Sequence, residues 1–490
     1  MKNVTGYFIF FALCFFPLFS CSQISLQADQ LWNSYPDFKE TSLDKRRIKH
    51  KDILPLIEKL KNNDRFNVQK VGESIEGRDL FLISIGEGDV DVFLWSQMHG
   101  DESTATMAIF DIFNFLKSEK FSAENKELLS KVKLHFLPML NPDGAEVFQR
   151  RNILGIDVNR DALRLQSPEG ETLKRIRDSL EADFGFNLHD QSKYYNAETT
   201  NKPATISFLA PAYNYEKEVN EVRGNAMKVI VSMNRDLQKI IPGQVAKYND
   251  DFEPRAFGDN IQKWGTSAIL IESGGYLNDP EKQEIRKLNY VAILSALNTI
   301  STGAFEKEDL RDYERIPEND SKLYDLKLTG LTYELLGREY IIDLGINHHE
   351  VPGGKNGYYY RSQIADQGDL STNYGYQEHD LSNHKIVFGK VYPKILNTVK
   401  DVEQLDLKSI LNEGYSYVRV KNFSGKINHL DLPVNVVREN FKTPSKLNVG
   451  VNPNFFLSKN GTIQYAIING FLIDLKEFNQ DSVRNALIIK

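Results

Sequence analysis

Four short apolar runs, each ending in polar residues, constrain the fold of this chain more than any other feature. They are "DVFLWSQ" (91–97), "LHFLPML" (134–140), "FGFNLHD" (184–190) and "SAILIES" (267–273). Runs of this kind are typical of strands buried on both faces of a sheet. Between them, apolar side chains recur at helical spacing over 105–116 and 219–237. The alternation predicts an α/β fold with a mixed, largely parallel sheet flanked by helices.

The chain has 490 residues, which is too long for one ordinary core, so we expect two or three domains. From about residue 305 the helical periodicity fades, and alternating stretches such as "YSYVRVKNF" (415–423) and "GTIQYAII" (461–468) follow. The sequence therefore predicts an α/β domain over 50–303 and a C-terminal β-rich accessory domain over 304–490.

The N-terminal residues have the pattern of an export signal. A basic start precedes an apolar stretch over 7–19, so we predict a signal peptide over 1–21, followed by a polar linker over 22–49. The two cysteines of the chain are Cys14 and Cys21, so a disulfide within the folded domains is not expected. The end of the apolar stretch, "LFSC", resembles the bacterial lipobox. We expect a periplasmic or outer-membrane lipoprotein attached peripherally through lipidated Cys21; the alternatives are free secretion and a buried N-terminal strand.

The charge of the chain argues against one class of partner. The formal net charge of −7 comes from 67 acidic and 60 basic residues. No block of basic residues suits a nucleic-acid backbone, and we expect no nucleic-acid binding.

Polar residues that follow the apolar runs supply the types of ligand that zinc prefers. His99 and Glu102 follow the first run, and His189 ends the third. The carboxyl ends of parallel strands meet at one edge of a sheet, and two histidines with one carboxylate are a common catalytic zinc set. Each residue also has a structural alternative: a loop histidine, a carboxylate near a helix N-terminus, or a histidine bound to the backbone.

Two further groups of residues are suited to hydrolysis. Glu272 closes the run "AILI" and is a candidate general base, since a buried carboxylate without a partner is costly; the alternative is a glutamate that reaches solvent. In "QRRNILGIDVNRDA" (149–162), Arg160 with Asn159 could bind a free carboxylate, and a neighbouring arginine could stabilise an oxyanion. A solvated basic loop is the alternative there, and we prefer it for Arg151.

Taken together, "HGDE", "NPDG", "GIDVNRD", "NLHD" and "LIESGG" resemble the zinc metallocarboxypeptidase family, whose best-known members are the carboxypeptidase A and B types. The resemblance runs from about residue 45 to 300. It implies one Zn²⁺ per chain with His99, Glu102 and His189 as ligands, and Glu272 as general base and acid. It also implies substrate carboxylate binding by Asn159 and Arg160, and oxyanion stabilisation by Arg150.

Three positions depart from the family pattern or are not fixed by it. Asp161 stands where many relatives have asparagine. Tyr248 lies where the family has a mobile substrate-binding tyrosine, although no motif marks it. Arg255, in the polar segment "FEPRAFGDN" (252–260), could contact an acidic substrate group, and a structural ion pair is the alternative.

The resemblance implies a zinc-dependent metallocarboxypeptidase that hydrolyses the C-terminal peptide bond of peptides. Its partner would be a peptide or muropeptide with a free carboxylate. Two alternatives remain open at this point. One is an amidase on the same scaffold that cuts peptidoglycan stem peptides or N-acyl amino acids, and the other is a non-catalytic binding protein.

Overall fold

The computed structural model describes residues 26–354, 356–423, 428–479 and 485–489. The predicted signal peptide and Cys21 lie outside the described residues. Within those ranges, no helix combines the length and the apolar character that crossing a bilayer requires.

The first nine strands belong mainly to one sheet. They are β1 (Asn67–Glu73), β2 (Asp79–Ile85), β3 (Val90–Ser96), β4 (Val132–Leu137), β5 (Phe184–Asp190), β6 (Asn196–Ala197), β7 (Ile206–Leu209), β8 (Val245–Lys247) and β9 (Ser267–Ser273). All except β6 form an eight-stranded sheet in the order β1-β2-β4-β3-β5-β9-β7-β8. The neighbours β4, β3, β5 and β9 run parallel, whereas β1, β2 and β7 introduce antiparallel pairs. The predicted mixed, largely parallel sheet is confirmed.

Helices cover both faces of this sheet. The helices of this region are, in chain order, α1 (Ala28–Ser34), α2 (His50–Lys61), α3 (Thr104–Lys117), α4 (Ser122–Lys131), α5 (Pro142–Val147), α6 (Pro168–Leu180), α7 (Glu221–Ile240), α8 (Phe257–Lys263), α9 (Gln283–Thr302) and α10 (Leu310–Glu314). Two short helices, α11 (Val399–Val402) and α12 (Leu407–Asn412), belong to the C-terminal β-rich region. Side chains of α3, α7 and α9 share one core with one face of the sheet, while those of α6 and α8 share a second core with the other face. The strand ends between the two helical layers are where site residues can meet.

The stretch predicted as a linker over 22–49 contributes apolar side chains to the core within the residues that the structure describes, from Leu26 onward. Leu31, Tyr35, Phe38 and Leu43 are buried in the core that α3 and α9 share. Leu31, Tyr35 and Phe38 stand four and three residues apart, which is a helical spacing that the linker prediction overlooked among the polar residues around it. The packing of the first region also continues past the predicted boundary at residue 303, as far as Ile316.

The remaining strands confirm the predicted β-rich region. They are β10 (Asn319–Asp320), β11 (Leu323–Leu335), β12 (Arg338–Pro352), β13 (Tyr358–Gly368), β14 (Tyr374–Asp380), β15 (Lys385–Phe388), β16 (Lys390–Val391), β17 (Leu396–Thr398), β18 (Tyr415–Asn422), β19 (His429–Leu430), β20 (Asn435–Val437), β21 (Phe455–Lys459), β22 (Thr462–Ile468), β23 (Phe471–Asp474) and β24 (Ala486–Ile489). They form an eight-stranded sheet around β11 to β15 and β21 to β23, and a six-stranded sheet around β18. The short β10 pairs with β6 of the first region, so the two regions are joined by a strand pair.

A buried ion pair fixes the N-terminal segment to the helical layer. Asp111 on α3 accepts hydrogen bonds from Arg286 Nε at 2.7 Å, from the Tyr35 hydroxyl at 3.0 Å and from the Glu40 amide at 2.7 Å. Both charged side chains are fully covered. Burial raises the pKa of Asp111, even though Arg286 and the other hydrogen bonds favour its charged form. Breaking such a pair leaves an unpaired buried charge, which is far more costly than losing an exposed pair.

We therefore expect Asp111→Ala to lower the free energy of unfolding by about 3–5 kcal/mol. The matched control is Asp178→Ala, because Asp178 pairs with Lys174 on the exposed side of α6. That variant should cost about 1 kcal/mol or less. Urea unfolding followed by circular dichroism measures both. Equal losses in the two variants would contradict the anchoring role of Asp111.

Candidate active site

The turn after β3 places His99 and Glu102 at the edge of the sheet. Its backbone lies so close to the start of α5 that a Cβ atom on Gly100 would stand 2.1 Å from the carbonyl carbon of Gly144. Asn141 holds the two segments together, because its amide nitrogen donates to the carbonyl oxygens of Met98 and Arg150, each at 3.3 Å. The glycines of "HGDE" and "NPDG" therefore permit the close contact that fixes the position of His99.

His189 and Glu272 come from adjacent parallel strands. His189 is the penultimate residue of β5 and Glu272 the penultimate residue of β9, and the two are direct partners in the strand register. Side chains that are paired in register point to the same face of a sheet. Residues far apart in sequence are thus placed side by side by strand pairing alone.

Three ligand atoms converge at this edge. His99 Nδ1 lies 2.8 Å from Glu102 Oε1, His189 Nδ1 lies 2.7 Å from Glu102 Oε2, and the two Nδ1 atoms are 3.1 Å apart. In the described part of the chain, these residues are the group of three or more His, Cys, Asp or Glu side chains whose arrangement suits a metal ion. Two imidazole lone pairs facing a carboxylate repel one another unless a cation or a proton lies between them. The donor set therefore fits zinc, which prefers nitrogen and oxygen ligands of this kind.

Residues behind the three ligand candidates orient them. His99 Nε2 lies 3.1 Å from Asp157 Oδ1, so Asp157 favours the tautomer with its proton on Nε2 and leaves Nδ1 free as a ligand. The other oxygen of Asp157 accepts from Arg150 Nε at 3.0 Å, and Arg150 Nη1 reaches to 3.1 Å from His99 Nδ1. Asp157 therefore positions a ligand and an arginine together. The sequence analysis assigned no role to this residue, although it stands inside the motif "GIDVNRD".

The ionisation of these groups shows how strongly they interact. Burial by itself lowers the pKa of His99, but the Glu102 and Asp157 carboxylates outweigh burial and raise it to about 9. Burial alone would raise the pKa of Glu102, yet its two histidine neighbours hold it well below its usual range. A metal ion competes with the proton that His99 holds here, so metal binding should release that proton.

Glu272 differs from the other carboxylates of the site. Burial, and then the negative charge of Glu102, raise its pKa well above the ordinary value. Within the described ranges, no group hydrogen-bonds to its Oε2 atom, which is fully covered. A buried carboxyl group with a free oxygen and a raised pKa has the properties of a proton acceptor and donor. The alternative of a glutamate reaching into solvent does not fit, because Glu272 is only 7% exposed.

Arg160 lies on the rim of the site and is already paired. Its Nε atom is 3.3 Å from a carboxylate oxygen of Glu253, and its side chain is 35% exposed. Arg255 bonds to the same carboxylate through Nε at 3.0 Å and Nη2 at 2.8 Å. Arg255 thus forms the structural ion pair that was the alternative to a contact with substrate. The side-chain oxygen of Asn159 accepts from the Phe257 amide at 3.0 Å, which leaves the amide N–H groups of Asn159 as donors.

Asp161 and Tyr248, the two other candidate positions, lie in a loop and beside a strand end. Asp161 accepts hydrogen bonds from the Gln166 amide at 2.7 Å and from the Ser167 amide at 2.8 Å, so its carboxylate shapes the loop before α6. Tyr248 follows β8, and its ring meets that of Tyr195 edge-on at 6.3 Å. Burial and the nearby Glu272 raise the pKa of Tyr248, which places its hydroxyl within the electrostatic reach of the site.

A mixed sheet that presents two imidazoles, a carboxylate and a free buried glutamate at one edge is typical of metal-dependent hydrolases. Comparison with known proteins narrows this class. Residues 53–237 match the Peptidase M14 family, which is described as zinc carboxypeptidase. The match confirms the resemblance to zinc carboxypeptidases over this part of the chain. The match includes the three ligand candidates and ends before Glu272.

Individual relatives are distant. The chain is 27% identical to carboxypeptidase SOL1 of Arabidopsis thaliana over 29% of this chain and 35% of that protein. It is 26% identical to the carboxypeptidase N catalytic chain of Homo sapiens over 24% of this chain and 30% of that protein. The chain thus spans about a third of the length of these relatives. The solved structure of carboxypeptidase A from Helicoverpa armigera aligns with a TM-score of 0.44 and 14% identity, over 56% of this chain and 80% of that one.

The position of Asp157 leads to a prediction about metal affinity. Asp157→Ala should weaken zinc binding by about 10–100-fold, because outer-shell partners of histidine ligands contribute that much. Competition with a chromophoric chelator measures the dissociation constant. Asp178→Ala serves again as the control and should leave it unchanged. An Asp157→Ala protein that binds zinc like the parent would show that the contact to His99 is incidental.

Proposed function

We propose that this chain is a zinc-dependent carboxypeptidase that removes the C-terminal residue of peptides. The observation that carries the proposal is the convergence of His99 Nδ1, Glu102 and His189 Nδ1 beside the free carboxyl group of Glu272. The match of residues 53–237 to the zinc carboxypeptidase family supports the same conclusion. Family members are zinc-dependent peptidases, and the same three residues are those that would hold the ion here.

A zinc ion held by these three residues would supply a Lewis acid that polarises the scissile carbonyl and lowers the pKa of a bound water. Glu272 accepts the proton of the attacking water, since its carboxyl group is buried and has a free oxygen. The same carboxyl group then donates the proton to the departing amine nitrogen. Asp157 keeps the His99 ring in the orientation that leaves Nδ1 available.

Arg150 is suited to stabilise negative charge on the carbonyl oxygen. Its guanidinium group reaches the ligand atoms, with Nη1 at 3.4 Å from Glu102 Oε1, and Asp157 fixes its direction. Its side chain is still 42% exposed, so a substrate can approach it. Donors held in place before the reaction stabilise a developing oxyanion without the cost of reorienting them.

Arg160 is the candidate partner for the C-terminal carboxylate of the substrate, with the amide N–H groups of Asn159 beside it. The bond to Glu253 shows that this guanidinium can take a carboxylate at the rim of the site. A substrate carboxylate would replace that of Glu253, which keeps its bonds to Arg255. Tyr248, whose pKa is raised by burial and then by the negative charge of Glu272, is assigned to the same substrate-binding side of the site.

We expect Glu272→Gln to lower kcat by about 10²–10⁴-fold and to leave zinc binding intact, because the general base is lost and the ligands are not. Mass spectrometry of peptide products, with zinc and with a chelator, measures the activity, and metal analysis measures the zinc. Loss of both zinc and activity would assign Glu272 a structural role. An unchanged kcat would contradict the proposed mechanism.

A second prediction concerns Arg160. Arg160→Gln should lower kcat/KM for peptides with a free C-terminal carboxylate by roughly 10–100-fold, since a charged hydrogen bond contributes about 1.5–3 kcal/mol. Peptides with an amidated C-terminus should be poor substrates of both proteins. Arg255→Gln is the matched control, because Arg255 bonds to the same Glu253. Similar losses in both variants would place carboxylate recognition elsewhere.

A further inference from the structure

A cavity of about 530 Å³ lies where the β-rich region meets the sheet edge. The first region contributes the segment after β5, from Gln191 to Tyr194, and the segment after β9, from Gly274 to Lys282. The opposite wall comes from β11 to β14 and from the turn before β23. Cavities of this volume hold small ligands or short chain segments. The ligand and base candidates themselves do not line it.

The cavity continues directly from the strand ends that carry the site. Gln191 is two residues beyond His189, Gly274 is two residues beyond Glu272, and the Gln191 amide donates to the Ser273 carbonyl oxygen at 3.0 Å. Lys282, which precedes α9, donates to Asp190 at 3.0 Å and to the Ser273 carbonyl oxygen at 2.9 Å. The near end of the cavity is therefore bonded to the strands that hold the site.

Arg160 and the cavity belong to opposite faces of the sheet. Val158 and Ala162, which flank Arg160, share the core of α6 and α8. Asp190 instead bonds to Thr104 on α3 at 2.7 Å, and the cavity segment up to Lys282 leads into α9. A peptide whose C-terminus is held at Arg160 reaches the cavity if its chain runs across the strand ends to the other face of the sheet. The cavity lies on that other face, next to the strand ends.

The two walls are held at a fixed spacing. A Cβ atom on Gly275 would stand 2.0 Å from the hydroxyl oxygen of Tyr376, so the two regions touch at this point. Tyr376 donates to the Lys193 carbonyl oxygen at 2.5 Å, and Tyr194 donates to Asp325 on β11 at 2.8 Å. The β-rich region is thus bonded to the segment that follows His189.

The walls are balanced in charge and rich in aromatic rings. The charged lining consists of three basic and three acidic side chains: Arg46, Lys193, Lys282, Asp279, Asp325 and Glu350. Lys193 pairs with Asp325 at 2.6 Å, and Arg46 pairs with Glu350. Phe471 stacks on His348 with ring centres 4.0 Å apart. Such walls favour uncharged groups, and aromatic rings among them.

We propose that this cavity binds the part of the peptide on the amino-terminal side of the scissile bond, and that it favours uncharged residues there. The β-rich region is then a substrate-binding part of the protein. This inference rests on the proposed function, because it needs a peptide anchored at Arg160. It goes beyond that function by assigning a role to Phe471 and to the exposed side chain of His349, both of which line the cavity.

The test compares peptides that end in the same two residues. An N-acylated dipeptide stops short of the cavity, whereas a pentapeptide enters it. The pentapeptide should have a kcat/KM about tenfold higher, and Phe471→Ala should lower the pentapeptide value far more than the dipeptide value. Tyr340→Ala is the control, since Tyr340 is an exposed aromatic residue of β12 outside the cavity.

A charge variant covers the case in which Phe471→Ala fails to fold. His349→Glu places a negative charge in the wall at an exposed position. Two pentapeptides are compared that differ in the third residue from the C-terminus, which is lysine in one and aspartate in the other. The ratio of their kcat/KM values should shift by about tenfold in favour of the lysine peptide. Calorimetric binding of the same peptides to the Glu272→Gln protein provides a readout that does not depend on turnover.

The outcomes separate the two proposals. If the parent protein releases no residue from any peptide, the proposed function fails. The difference in affinity between the pentapeptide and the dipeptide then still decides whether the cavity binds peptide. If the parent is active but treats both lengths alike, and His349→Glu leaves the charge preference unchanged, the cavity proposal is overturned and the carboxypeptidase proposal stands. The cavity proposal is also overturned if peptides bind more tightly only when a sugar is attached to them, whatever their length.

Discussion

The parallel register of β3, β5 and β9 determines where the chemistry of this chain lies. Phe184 lies opposite Ser267, so β5 and β9 begin and end together, and β3 ends nearby with Ser96 opposite Leu188. His189 and Glu272 become neighbours although they are far apart in sequence, and the turn after β3 adds His99 and Glu102. A shift of one residue in the β5–β9 register would move one of the two side chains to the other face of the sheet.

This strand register brings several carboxyl groups together in the buried site. Four carboxyl groups, on Glu102, Asp157, Asp190 and Glu272, meet two basic partners, Arg150 and Lys282. Burying carboxylates without matching positive charge is costly, and the raised pKa of Glu272 is one consequence. A divalent cation between the histidines would add positive charge there, in place of the proton that His99 holds. The electrostatics of the site and the chemistry of its ligands therefore lead to the same conclusion.

The local patterns of the sequence predicted the α/β sheet and the grouping of His99, Glu102, His189 and Glu272, because strand ends converge by geometry. Asp157 was missed because its partner, His99, is 58 residues away and no local spacing joins them. The segment predicted as a linker has only a short helical spacing, at Leu31, Tyr35 and Phe38, and the Asp111–Arg286 pair that fixes its described part joins two distant helices. The cavity walls come from both regions, so neither sequence pattern alone could reveal them.

A single metal ion between these ligands can be located by its anomalous scattering. Crystals grown with one equivalent of zinc, measured on both sides of the zinc absorption edge, test for it most directly. We expect one strong anomalous peak within roughly 2.0–2.2 Å of His99 Nδ1, His189 Nδ1 and a Glu102 oxygen. A peak at another group, such as the histidines of β12, with none between these three residues, would contradict this expectation.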